Sequence, residues 1–151
     1  MIKLCCRILL LGLLAVQACG AAVFKSPAPT VDVTGTWQGS SITSCGVMLL
    51  DKFRCAAVER ITFTLFQEGD RVNGTYHCAI GTMICRNLND SGSVVSSSVS
   101  GSLARLRVML PDGSSCMFDG HFSTDRAGGN FFCYQGGGLL EQGAWKVARL
   151  Y

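Results

Sequence analysis

Three features of this 151-residue chain predict an all-β fold, an eight-stranded antiparallel up-and-down barrel tied by disulfides. Short runs that alternate apolar and polar residues recur between turn-like segments. Glycine is abundant, at 18 residues, while charged residues make up only 15% of the chain. Six cysteines, Cys45, Cys55, Cys78, Cys85, Cys116 and Cys133, are distributed within and between these runs. Low charge, many glycines and short Val/Thr/Phe/Tyr runs favour strands and turns over helices.

The strands follow in order. Thr34 to Ile42 is the first, and Glu59 to Gln67 alternates Ile61, Phe63 and Leu65 against Thr62 and Thr64. The turn Glu68-Gly69-Asp70 leads into Arg71 to Ile80, and Ser93 to Ser102 is a Ser/Val strand. Ala104 to Leu110 points Leu106, Val108 and Leu110 inward and Arg105 and Arg107 outward. Pro111-Asp112-Gly113-Ser114 is a turn by residue chemistry, because Pro presets φ and Gly tolerates positive φ. Cys116 to Ser123, Gly129 to Gln135 and Gln142 to Leu150 complete the set. Gly136-Gly137-Gly138 opens no helix and reads as a loop. Gly46 to Arg54 is apolar without alternation, and is compatible with either a helical turn or a lid over a barrel end. Two hairpins echo each other at a constant offset of 55 residues: Asp70-Arg71-x-x-Gly74-x-Tyr76-x-Cys78 and Asp125-Arg126-x-x-Gly129-x-Phe131-x-Cys133. Phe63 and Phe118 obey the same offset.

The N-terminus predicts export. Lys3 and Arg7 form a positive region, and Ile8 to Val16 is an apolar run too short to span a bilayer as a mature helix. Val16-Gln17-Ala18-Cys19 resembles the bacterial lipobox, an aliphatic and a small residue before an acylated cysteine. The resemblance implies a lipoprotein leader over residues 1–20, lipid attachment at Cys19 and a place at the bacterial outer membrane or periplasm. The plain alternative is a secretory signal cut after Gly20 or Ala22, giving a soluble secreted protein. Residues 21–33 read as a tether and 34–151 as the barrel domain. Without Lys3 and Arg7, the 13 basic residues fall to 11 against 10 acidic. That near-neutral balance carries no electrostatic footprint for nucleic acid.

Nine cysteines less Cys5, Cys6 and Cys19 leave six, an even number in a chain bound for an oxidising compartment, so three disulfides are expected. Fifteen pairings are possible; the local choice is Cys45–Cys55, Cys78–Cys85 and Cys116–Cys133. With no C-x-x-C and only His77 and His121 available, no metal or other cofactor is expected.

Gly35-Thr36-Trp37-x-Gly39 opens the first strand, and Gly143-Ala144-Trp145 with Arg149 lies on the last. This resembles lipocalin-like (calycin) barrels, including the avidin branch. The resemblance implies that Trp37 closes one barrel end and that Arg149 packs over it. No catalytic motif is present: there is no H-E-x-x-H, G-x-S-x-G or phosphate-cradling loop, and Glu59, Glu68 and Glu141 look scattered. A non-enzymatic role is expected, in one of two forms. One is an anchored barrel binding a small apolar ligand. The other is an envelope interaction or inhibitor-type protein with a filled barrel, working through Cys45–Cys55, Gly81–Ser93 and Gly136–Glu141. The candidate inward residues Phe63, Leu65, Tyr76, Leu106, Val108, Leu110, Phe118, Phe122 and Phe131 are bulky and favour a filled interior.

Overall fold

A computed structural model describes residues 30–44, 58–79 and 90–151. Cys45, Cys55, Cys85, Cys19, the leader, most of the tether and the segment Gly46–Arg54 lie outside these residues. Eight strands follow one another: β1 (Gly35–Thr43), β2 (Val58–Glu68), β3 (Arg71–Cys78), β4 (Asp90–Ser100), β5 (Leu103–Met109), β6 (Ser115–Phe122), β7 (Arg126–Gln135) and β8 (Gly138–Leu150). Each pairs antiparallel with its neighbour in sequence, and β8 pairs back onto β1 to close the barrel. Closure leaves no unpaired edge.

The expected strands are all present, with shifted ends. β7 begins at Arg126 rather than Gly129, because Ala127 pairs with both Phe122 and Val147. β8 begins at Gly138, so the expected loop Gly136–Glu141 shrinks to two residues. Gly136 and Gly137 have φ of 59° and 84°. Positive φ at both central positions gives the primed hairpin turn, whose twist continues both strands. The Pro111–Ser114 turn forms as its chemistry dictates: the Asp112 carboxylate accepts from the Ser114 backbone N–H at 2.9 Å.

Alternation sets the interior. Ile61, Phe63 and Leu65 of β2, Leu106 and Val108 of β5, and Phe118 and Phe131 of β6 and β7 are fully buried. Seven aromatic side chains, Trp37, Phe63, Tyr76, Phe118, Phe122, Phe131 and Trp145, form a continuous pile with ring centroids 5.0–6.0 Å apart. Eight strands enclose a space just wide enough for side chains to fill, and these rings fill it. Cys116 and Cys133 face each other across β6 and β7 and are disulfide-bonded. Cys78 is buried and disulfide-bonded.

The two echoing hairpins share one geometry. Phe63 pairs with Tyr76 and Phe118 pairs with Phe131, so the register repeats at the same offset. Gly74 and Gly129 each face the opposing strand so closely that an added Cβ would lie 2.0 Å from a carbonyl oxygen, that of Thr64 and of Asp119 respectively. Thr64 and Asp119 are themselves 55 apart. No side chain fits there without moving backbone. Gly74→Ala and Gly129→Ala should therefore each destabilise the barrel by about 2–4 kcal/mol. Urea unfolding of the two variants checks this, and a loss below about 0.5 kcal/mol in either would contradict the close approach.

Candidate functional site

The two ends of the barrel differ in chemistry. At one end, Trp37 of β1 is buried and its Nε1 donates to the Val33 carbonyl at 2.8 Å. Phe122 meets the Trp37 ring edge-on at 5.0 Å. Arg149 of β8 is the register partner of Trp37, and its guanidinium lies 4.5 Å from the ring centroid. Nη1 of Arg149 donates to the Thr34 carbonyl at 3.0 Å and Nη2 donates to the Asp32 carbonyl. The cation thus lies on an aromatic face while its donors clamp the incoming chain. Residues 31–33, read as the end of the tether, belong to this closure: Val33 is fully buried, and the Val31 N–H donates to Gly101 at 2.8 Å. The Thr34 N–H donates to the Asp32 carboxylate, and this bond, with a lesser contribution from Arg149, holds Asp32 below the usual carboxylate range.

The opposite end, where β1 finishes and β2 and β8 begin, holds the side chains that alternation alone does not explain. Ser41, Thr43, Glu59 and Glu141 are all buried there. Glu59 lies on the same inward face of β2 as Ile61 and Phe63. Glu141 reaches the interior from β8, just past the register shift at Cys133/Tyr134. The Ser41 hydroxyl donates to Glu59 Oε2 at 3.3 Å, and the Thr43 hydroxyl donates to Glu141 Oε1. The Cys78 sulfur lies 3.6 Å from Glu59 Oε2. Desolvation, reinforced by the charge of Glu141, pushes the Glu59 carboxyl up from 4.5 to about 8, against a smaller opposing pull from the Ser41 hydrogen bond.

Two carboxyls that look scattered in the sequence therefore converge, because β2 and β8 both flank β1. Period-two alternation already places Glu59 on the face of Ile61, Phe63 and Leu65, which was the available signal. Glu141 shares the parity of Gly143, Trp145 and Val147, but it lies one residue before the expected strand Gln142 to Leu150, in the expected loop. The two carboxyls share this end of the interior, where burial and the charge of Glu141 favour a protonated Glu59. Neither histidine joins them: the His77 ring nitrogen meets Ser91 Oγ at 3.2 Å and that of His121 meets Ser102 Oγ at 3.4 Å, both on the outside. A surface groove of about 690 Å³ runs beside His77, Ser91, Ser93 and Met109.

Comparison with family models, with curated proteins and with solved structures finds no match to this chain. What the structure defines is a small closed antiparallel β-barrel of eight strands, the architecture that the calycin resemblance implies.

The Glu59 pair makes stability depend on pH. The folded-state value of about 8 lies above the ordinary 4.5, so the folded form binds the proton more tightly than the unfolded chain. The associated stability is fully present below about pH 4.5 and is lost as pH rises through about 8. Glu59→Gln should abolish that decline and raise stability at pH 8 by on the order of 3 kcal/mol. Unfolding curves of both proteins at pH 5, 7 and 9 test this; parallel declines would assign the effect to another group.

Proposed function

We propose that this is an exported, lipid-anchored, non-enzymatic protein of a bacterial cell envelope, an interaction module whose barrel is a solid scaffold. The observation that carries this reading is the aromatic pile from Trp37 to Phe131, which occupies the space where a calycin-type barrel would hold an apolar ligand. Recognition then falls to the outside of the barrel and to its Glu59–Glu141 end. Filling the core with fixed rings suits such a role, since a rigid scaffold loses little freedom when its surface docks.

Two measurements test the two parts of the proposal. For the solid barrel, the full chain with Cys19→Ser should show no stoichiometric uptake of anilinonaphthalene sulfonate and no co-purifying small molecule in native mass spectrometry. A bound apolar molecule at one per chain would restore the ligand-carrier reading. For the anchor, metabolic labelling with a fatty-acid analogue should mark the wild type, and Cys19→Ser should remove the label. An unlabelled wild type would leave plain secretion.

A further inference from the structure

The outside of the barrel is two-sided. Eight large hydrophobic side chains are exposed among the described residues, and seven lie on or directly after β1, β2, β7 and β8. The exception is Leu103 on β5. The opposite wall, β3 to β6, is hydroxyl-rich instead: Ser91, Ser93, Ser96, Ser98 and Ser100 of β4 are all exposed. It carries cations too, the exposed Arg71, Arg107 and Arg105, the last paired with Asp119 at 2.8 Å, but no row of exposed large aliphatic side chains beside them.

On the first wall the strand registers arrange the outward residues in rows. One row runs Ala144, Ile42, Val58 across β8, β1 and β2, with Ile42 41% and Val58 59% exposed. The next row, two residues further from the Glu59 end, runs Lys146, Ser40, Arg60. Neither row contains an acidic residue. Lys146 and Arg60 flank Ser40 and enter no ion pair among the described residues, while Arg126 on β7 adds a third cation, loosely paired with Asp125 at 3.7 Å. Two residues along a strand are about 7 Å, so the apolar row and the cationic row are parallel bands about 7 Å apart.

We propose that this wall docks on an anionic lipid surface, with Ile42 and Val58 entering the acyl boundary and Arg60 and Lys146 at the level of the phosphates. The band spacing matches the depth of about 5–10 Å to which interfacial apolar faces are buried. Cations attract the anionic headgroups electrostatically. A second copy of the chain does not fit, because a symmetric contact would set these cations against each other. A protein partner fits less well: protein interfaces centre their apolar area and keep charge at the rim, whereas here the cationic row lies inside, between Ile42 and Val58 toward the Glu59 end and Phe66 and Leu150 toward the Trp37 end. The proposal goes beyond the function above and does not depend on acylation at Cys19.

The test is co-sedimentation of the full chain carrying Cys19→Ser with vesicles of phosphatidylcholine alone or with about 30% phosphatidylglycerol. The leader, with Lys3 and Arg7, is common to every variant, so differences between variants report the barrel wall alone. Partitioning onto the anionic vesicles should exceed that onto the neutral ones by roughly tenfold in low salt, and should approach it in about 0.5 M salt. Arg60→Glu with Lys146→Glu should remove the preference, Ile42→Ser with Val58→Ser should weaken it about fivefold, and Arg71→Glu with Arg107→Glu on the opposite side should leave it unchanged. Circular dichroism confirms that each variant is folded. Equal binding to both vesicle types, or a preference insensitive to the Arg60/Lys146 reversal, overturns the proposal. So does salt-sensitive binding to soluble polyglutamate without any vesicle preference, which would assign the wall to an acidic protein.

Discussion

The pairing of β1 with β8 is the constraint on which the rest of the molecule depends. Thr36 to Thr43 run in register against Leu150 to Gly143 without a break. Once that seam closes, the interior has a set volume and no edge remains to relieve a misfit. Inward side chains must then fill the space, and seven rings do so. The same seam brings Trp37 under Arg149 at one end and sets Ser41 and Thr43 between Glu59 and Glu141 at the other. A carboxyl enclosed in this way cannot draw on water, so Glu59 keeps its proton to about pH 8.

The core hairpins show how a barrel of this size can be filled economically. β2–β3 and β6–β7 lie four strands apart in a ring of eight, so they face each other across the axis. Phe63 of one meets Phe118 of the other at 5.2 Å, and Tyr76 meets Phe118 at 5.6 Å. The likeness stops at the hairpins' ends. Gly74 and Gly129 are equivalent, but the equivalent of Glu59 is Ser114, and that of Ile61 is the disulfide-bonded Cys116. The flanking strands also differ in register: β3–β4 is shifted between Val72 and Gly74, which β7–β8 does not reproduce. The repeated part forms the scaffold, and the features that distinguish the two barrel ends lie where the repeat is broken.

Much of this was legible in the sequence because a closed barrel has one dry face and one wet face, so alternation reports both strand and side. Phe63, Leu65, Tyr76, Leu106, Phe118 and Phe131 were all placed inward by parity, and Trp37 and Arg149 stood out through the resemblance of the first and last strands to calycin barrels. Parity fails wherever a strand is irregular. In β4 the run Val95-Ser96-Ser97 bulges, with Ser96 at a φ of 48° and the Ser97 hydroxyl accepting from the Arg107 N–H at 2.8 Å. Serines carry no hydrophobic period to reveal such a shift. Glu141 is hidden differently: it keeps the parity of Trp145, but β8 starts earlier than the glycines suggest, so it falls in the expected loop. Arg60 and Lys146 were invisible as a pair for a different reason: they are distant in the chain, and only the register of β2, β1 and β8 sets them in one row.

A filled barrel also separates two kinds of chemistry that an open one would mix. The inward residues answer to volume and to the cost of burying charge, and substitution there is felt through the whole pile of rings. The outward residues of the same strands answer to neither, because the backbone ladders of β1, β2, β7 and β8 hold the wall together without them. Arg60 and Glu59 are adjacent in sequence, yet one meets solvent and the other is enclosed. The outer surface is therefore free to become asymmetric without disturbing the fold, and its exposed apolar side chains are so: seven of the eight large ones among the described residues lie on or directly after β1, β2, β7 and β8, while exposed serines line β4. That asymmetry contributes nothing to closing the seam or filling the core.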